Sequence, residues 1–539
     1  MGQTPDSTES SRNRATEHTA AAGVRERLQT PSYRSLSVVA IAAVALACGT
    51  IVQRADWAQN AHYALVRALA DGTPRIDAYH QDTGDKSFTN GHYYSVKAPG
   101  LAFVSLPPYL VLRALDKTPS NDTTVWFLNL FTTIPLTVLL LILVRRVADA
   151  FESGTGTMVA ITLGAATLVL PFVTLYFSHV AAAAFGYAAF YVLFRVRPGP
   201  ARFGPIALAG LLAGVACVFE YPSAIVAMAL AVYALGRDRI VGRIAAYGLG
   251  GLLGLAPLLV YNACAFGSPL HMSYSDLVLV GGASGHDVVG TAGGGVYGVT
   301  APSLRVISEL LLENRGLLTL TPIVAAGMAG AVLLFRRGQR AEGALSIGLA
   351  AAFLLYNSGL ATFFGGGSPG PRYLIGALPF VLAPMGLTLT RSPGTTIALA
   401  LVSVSTMALA TITDPMVGGD YVLQWPRDAL AGVFQKTVVS IAGGPSGYVA
   451  VVPFIALLGL ALVAGGATLR RDSLGRRDAA EGATAILLWL LVAYAIRSLV
   501  VPEPTLAGAV AALSLTAAAI TVQVIVIRAL RCAPVPAPQ

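Results

Sequence analysis

Apolar runs close to the roughly 20 residues needed to cross the hydrocarbon of a bilayer recur from Ser35 almost to the C-terminus. Inside lipid each backbone N–H and C=O must be satisfied within the segment, so such runs read as helices. Composition agrees. Of 539 residues 55% are hydrophobic and only 12% are charged, against the roughly 25% charged share of a soluble domain. A cytosolic enzyme is excluded, and an all-α polytopic membrane protein is expected.

The apolar runs place spans at 35–52, 121–144, 156–175, 179–194, 204–219, 222–236, 244–262, 317–335, 342–362, 372–390, 395–412, 448–468, 482–498 and 506–527, about fourteen in all. The stretch Pro99 to Leu115 is left out. Counting it would throw Arg145, Arg146 and every later arginine cluster to the outer side, so it is read as a short amphipathic or re-entrant helix in the interface. The net charge of +9 is carried largely by arginine clusters between apolar runs, among them Arg25 and Arg27, Arg336 and Arg337, and Arg470 and Arg471. This is the pattern of cytoplasmic loops rather than of a nucleic-acid surface. It puts both termini in the cytoplasm and makes 53–120, 263–316, 363–371 and 413–447 outer loops. Residues 1–34, polar and rich in Ser, Thr and Arg, read as a disordered cytoplasmic tail, and 532–539 as a second tail. The four cysteines are scattered, with neither a disulfide framework nor a metal-ligand spacing.

Chemistry is expected where ionisable residues gather in the outer loops. Asp56 leaves the first span and opens a helical pattern, Trp57 to Leu69, with apolar residues on one side and Asn60, Tyr63 and Arg67 on the other. It can be a general base, or it can simply favour the helix N-terminus electrostatically. Asp85 follows, then Asn90-Gly91-His92-Tyr93-Tyr94-Ser95-Val96-Lys97-Ala98-Pro99, a polar turn in which Lys97 either pairs with a phosphate or snorkels as a membrane anchor. Arg372, after Gly370-Pro371 and before Tyr373, starts a membrane helix where a lone cation is costly unless it meets an anion or water. His179 and Glu220 lie at outer span ends, open to a polar site or to plain solvation. Gly281 to Gly298 lacks the Gly-Lys-Ser/Thr ending of a nucleotide loop and reads as a flexible outer loop.

Asp56, the Asn90 to Pro99 motif, Tyr261-Asn262 with Phe266-Gly267-Ser268-Pro269, Asn314-Arg315-Gly316-Leu317 and Gly370-Pro371-Arg372-Tyr373 occur here in one order. In that order the chain resembles the GT-C superfamily of membrane glycosyltransferases, in particular family 39-like proteins such as protein O-mannosyltransferases and lipid A aminoarabinose transferases. The resemblance implies a GT-C-like bundle with juxtamembrane helices in the first outer loop, a catalytic module over 35–390, and additional C-terminal helices over 391–531. It further implies transfer of a sugar from a polyprenyl-phosphate donor to an acceptor hydroxyl of a glycan, lipid or protein, by inverting displacement at the extracytoplasmic face of the plasma membrane. Asp56 would be the base. Lys97 and Arg372 would hold the phosphate, with His92, Tyr94, Asp85, His179 and Tyr373 around the donor. Trp57 and Val96 stand where many relatives carry further acids, so a divalent metal is not part of the expectation; the lipid-linked sugar is a substrate. A transporter or flippase, which would place its polar sites at mid-membrane, and a non-catalytic scaffold of the same fold are the competing readings.

Overall fold

The computed structural model describes residues 31–115, 120–197, 202–235, 239–277, 299–416, 421–469, 474–501 and 505–532. The glycine-rich stretch 281–298, the Arg470–Arg471 turn, and all but Pro31 to Arg34 and Cys532 of the two expected tails lie outside them. The chain is a multi-pass α-helical membrane protein. Eight helices among the described residues are long and apolar enough to cross a bilayer: Ser32–Thr50, Asn121–Phe151, Ser178–Val196, Ile240–Phe266, Pro393–Ile412, Tyr448–Ala467, Arg476–Leu499 and Leu506–Arg531. The pair Leu304–Leu320 and Ile323–Arg336, bent by 91°, would add a ninth.

The expected fourteen spans are not confirmed among the described residues, and several of the expected runs fold otherwise. The 156–175 run forms two short helices, Gly156–Ala165 and Val169–Thr174, the second containing Pro171. The 372–390 run is broken further, into the 3₁₀ turn Arg372–Gly376 and the short helices Leu378–Leu382 and Gly386–Arg391, with Pro379 and Pro384 at the breaks. Both segments are buried almost throughout. Freed backbone groups are tolerated at membrane depth only where protein surrounds them, so these runs are apolar because they are core. The 204–219 and 222–236 runs fold as Phe203–Phe219 and Tyr221–Ala234, about 25 Å and 21 Å long at 1.5 Å per residue, short of the roughly 30 Å hydrocarbon. Helix Gly100–Ala114, from the stretch left out of the count, is likewise a short apolar helix.

Small residues set the closest helix pairing. Gly210 and Gly214 of Phe203–Phe219 face Gly250 and Gly254 of Ile240–Phe266, two Gly-x-x-x-Gly stripes that let backbones touch. A Cβ on Gly250 would sit 1.9 Å from the Ala207 carbonyl oxygen, and one on Gly210 2.0 Å from that of Tyr247. The opposite side of Ile240–Phe266 leaves Val241, Leu249, Leu253 and Val260 exposed, a surface suited to acyl chains.

Two small antiparallel pairings organise one end of the bundle. Strand β1 (Ile51–Val52), directly after the first span, pairs with β4 (Lys436–Thr437), placing Ile51 opposite Thr437 and Val52 opposite Lys436. Strands β2 (Lys86–Thr89) and β3 (His92–Ser95) form a hairpin with Lys86 opposite Ser95. Its turn residues Asn90 (φ 51°) and Gly91 (φ 79°) both take the left-handed conformation that a two-residue type I′ hairpin requires. At the other end of the first span the Tyr33 hydroxyl donates to Asp149, while Arg145 stacks on the Tyr33 ring and Arg337 pairs with Glu152 at 2.6 Å. The arginine-rich turns thus collect at the end away from both pairings.

Candidate functional site

The segment between the first two long helices is built around helix Trp57–Ala70. Asp56 is its N-cap: the carboxylate accepts from the Trp57 N–H at 2.8 Å, and Gln59 closes a capping box by accepting from the Asp56 N–H at 3.3 Å. Capping satisfies N–H groups that a helix start otherwise leaves orphaned. Behind Asp56, the Ala55 N–H donates to Asp122 at 2.9 Å and Lys436 reaches the same carboxylate at 3.0 Å. In front, Thr83 donates to the Trp57 carbonyl at 2.7 Å, and the Trp57 ring lies so close to Gly84 that a Cβ there would fall 2.5 Å from it. This pinning turns the next residue, Asp85, inward.

Asp85 meets Lys97 at 2.6 Å, with both side chains about nine-tenths buried. Lys97 is held by its surroundings: its N–H donates to Ser95 at 3.2 Å, and the preceding Val96 carbonyl accepts from Ser273 at 2.8 Å. The helix that follows starts at Gly100, where a Cβ would stand 2.7 Å from the Val218 carbonyl oxygen. That close approach carries Lys97 toward Glu220, which sits at the end of Phe203–Phe219.

Glu220 is a convergence point. It accepts from the Ser178 hydroxyl and from His179 Nδ1 at 3.0 Å, and Ser178 in turn lies 3.5 Å from His62 Nε2. Burial pushes the His62 imidazolium down to about 3, with Lys97 adding to the effect, so His62 is neutral at physiological pH. Lys97, Glu220, His179 and Asp85 all act on it electrostatically, which marks the five as one cluster. The His179 ring packs 5.6 Å from the centre of Phe177 and 5.5 Å from that of Tyr373.

Arg372 completes the cluster. Its guanidinium lies 5.2 Å from the Phe177 ring centre and 5.4 Å from that of Tyr373, and the side chain is only 7% exposed. Gly365, at φ 87°, makes room: a Cβ there would meet Arg372 Nε at 2.4 Å. Among the described residues no carboxylate lies within ion-pairing distance of Arg372, and its Nε has no hydrogen-bond partner. No group of three or more His, Cys, Asp or Glu side chains among the described residues is arranged to hold a metal ion.

Of the residues the sequence singled out, Asp85, Lys97, His179, Arg372 and Tyr373 come together, and Asp56 stands one residue from Trp57, which touches the Thr83–Gly84 turn. His92 and Tyr94 lie elsewhere. His92 sits at the hairpin end, 2.8 Å from Asp77, whose other oxygen accepts from the Tyr93 N–H at 2.7 Å. Burial raises the Asp77 carboxyl, but the Tyr93 N–H and His92 outweigh it and hold the group below the ordinary carboxylate range. Tyr94 is buried against Phe266 in an apolar cluster. His62 and Ser178 were not singled out. A signal for His62 exists: Ala58, His62 and Leu65 fall at i, i+4 and i+7, a histidine on an apolar face.

No protein-family model matches the chain, and no curated protein matches it. It superposes on the oligosaccharyltransferase of Archaeoglobus fulgidus in its apo form with a TM-score of 0.43 and 12% identity, over 87% of this chain and 59% of that one. It also superposes on oligosaccharyltransferase AglB of the same organism, in complex with an inhibitory peptide and a dolichol-phosphate, with a TM-score of 0.43 and 11% identity, over 86% of this chain and 58% of that one. The chain therefore spans less than two thirds of these structures' length. With superpositions this loose, functional reasoning rests on the chain's own residues.

Proposed function

We propose that this protein is a GT-C-like glycosyltransferase that moves a sugar from a polyprenyl-phosphate donor to an acceptor hydroxyl at the extracytoplasmic face. The observation that carries the reading is Arg372, a buried guanidinium that among the described residues has no carboxylate at ion-pairing distance and has an orphaned Nε–H. A permanent cation in such a place is costly unless an anion completes it, and a phosphate at the membrane surface suits its planar donors. The motif order described above supports the same class. A transporter is disfavoured because Asp85 and Lys97 come from the segment after Trp57–Ala70 and Glu220 from the end of Phe203–Phe219, rather than from helices broken at mid-membrane as a transport site needs.

Orientation follows from charge. The arginine-rich turns lie at the end of the bundle opposite the cluster, and such turns favour the cytoplasm, which leaves the cluster facing outward.

In the reaction the acceptor oxygen attacks the anomeric carbon, the bond from that carbon to the phosphate oxygen breaks, and polyprenyl phosphate leaves with both electrons. The hydroxyl proton passes to a carboxylate. Asp56 suits that task better than Asp85: it is half-buried and among the described residues has no cationic partner, whereas Asp85 is tied to Lys97 at 2.6 Å. A neighbouring cation stabilises the ionised form and weakens a base. Arg372 and Lys97, from opposite sides of the cluster, would offset the charge that grows on the leaving phosphate. No step is routed through a metal.

The test is thermal unfolding of the purified full-length protein with a panel of polyprenyl-phosphate sugars and with bare polyprenyl phosphate. A donor that binds only the native state must raise the unfolding temperature. Protection by lipid phosphate that disappears in Arg372→Ala supports the reading, and no protection by any of these lipids overturns it.

A further inference from the structure

His179 is more completely arranged than a packing residue needs to be. It is 6% exposed, its Nδ1 lies 3.0 Å from Glu220, and Glu220 is itself fixed by the Ser178 hydroxyl. A carboxylate at Nδ1 keeps the proton there, so Nε2 of the neutral ring is left as an acceptor. Nε2 is buried and has no partner. A buried acceptor left unpaired is costly, and that cost is recovered when something donates to it.

The position of Nε2 indicates what that donor is. The imidazole and the Arg372 guanidinium pack on the same two rings, Phe177 and Tyr373, with all four separations between 5.2 and 5.6 Å. An anion at Arg372 would therefore lie against the same two aromatic rings that flank His179, whose Nε2 is an acceptor without a partner. Aromatic walls suit the C–H face of a sugar ring, and a lone acceptor suits one hydroxyl. We propose that His179, held in one tautomer by Glu220 as a positioning residue, receives a hydrogen bond from a hydroxyl of the donor sugar and so selects the sugar. This inference rests on the glycosyl-phosphate reading of Arg372 and adds to it the element that reads the sugar.

The experiment measures binding of undecaprenyl phosphate and of the same lipid bearing glucose, mannose or galactose, together with their monodeoxyfluoro analogues, to the full-length protein in nanodiscs. Fluorine accepts but cannot donate. In the wild type the preferred sugar binds more tightly than bare lipid phosphate, and fluorine at one position weakens it roughly three- to tenfold. His179→Phe keeps an aromatic ring in its place and abolishes the preference for hydroxyl over fluorine. Glu220→Gln can donate to Nδ1, which leaves Nε2 protonated, so the preference for hydroxyl over fluorine at that position, read relative to bare lipid phosphate in the same variant, narrows or reverses. A structural role for the pair would not produce that reversal. If bare phosphate binds but no sugar adds affinity, or no fluorine position matters, the inference fails while the function proposal stands. If neither bare nor sugar-bearing lipid binds the wild type, both fail together. Should Glu220→Gln not fold, the fluorine scan on wild type and His179→Phe decides alone.

Discussion

The Lys97 ammonium lies 2.6 Å from the Asp85 carboxylate inside the protein, while Arg372, on the other side of the same cluster, has no acid at ion-pairing distance among the described residues. The two cations therefore differ in what their removal exposes. Lys97→Ala strands a buried carboxylate and is expected to cost about 3–5 kcal/mol of stability. Arg372→Ala removes a buried cation that no carboxylate among the described residues pairs with directly, and is expected to destabilise less than Lys97→Ala. Both weaken binding of lipid phosphate, by about 1.5–3 kcal/mol for one lost charge-assisted contact. Lys97→Arg and Arg372→Lys do less harm. Thermal scans with and without undecaprenyl phosphate separate the two effects, and an Arg372→Ala protein destabilised as much as Lys97→Ala, with undiminished affinity, would contradict the assignment.

Asp56→Asn is expected to abolish transfer while leaving folding and donor binding intact. Asparagine caps a helix nearly as well as aspartate, so the interaction seen at Trp57 survives. Loss of the base lowers the rate on the order of 100-fold or more. Asp85→Asn is the control in the same loop. Near-normal turnover in Asp56→Asn with a dead Asp85→Asn would move the base to the carboxylate beside Lys97.

His62 makes stability depend on acidity. Its folded-state value of about 3 lies below the roughly 6.5 of an unfolded histidine. Above pH 6.5 neither state takes the proton. Below it the unfolded chain binds a proton that the folded one refuses, so stability falls as pH drops through this window, by about 2 kcal/mol at pH 5. His62→Gln should flatten that part of the profile. The difference between wild-type and variant unfolding temperatures at pH 7.5 and pH 5 reads it directly.

The glycine stripe gives a packing prediction. Gly250→Ala would force Ile240–Phe266 away from Phe203–Phe219 and is expected to destabilise by about 2 kcal/mol or more. Gly248→Ala, two residues along the same helix with nothing within 4 Å of the added carbon, should be neutral or stabilising, by up to about 1 kcal/mol of helix propensity. Equal behaviour of the two variants in a thermal scan would remove the close-packing argument.

The sequence carried the membrane class and most of the long helices because hydrophobic length alone decides them. It could not separate 156–175 and 372–390 from true spans, since a fully buried core segment and a lipid-crossing one are equally apolar and only Pro171, Pro379 and Pro384 betray the breaks. Asp85, Lys97 and Arg372 were visible as charges in unexpected places. Glu220 and His179 looked like groups free to be solvated at span ends; that they face each other depends on how two helices pack. His92 and Tyr94 entered through their place in a motif. Asn90-Gly91 between alternating residues is a strong hairpin signal, and it fixes a register that leaves His92 at the hairpin end with Asp77 and Tyr94 against Phe266.

The pairing of β1 with β4 has a consequence for biosynthesis. The backbone leading into Asp56 is fastened by groups 381 residues later in the chain, where the Gln435 side chain accepts from the Arg54 N–H, and by the strand that follows it. Contacts of such separation form late. The carboxylate proposed as base is thus among the first functional groups made and among the last set in place. A ribosome halted between residues 373 and 436 leaves a protein with Lys97 and Arg372 already translated but with the entrance to Asp56 untied, so such nascent chains would hold lipid phosphate before they could turn it over.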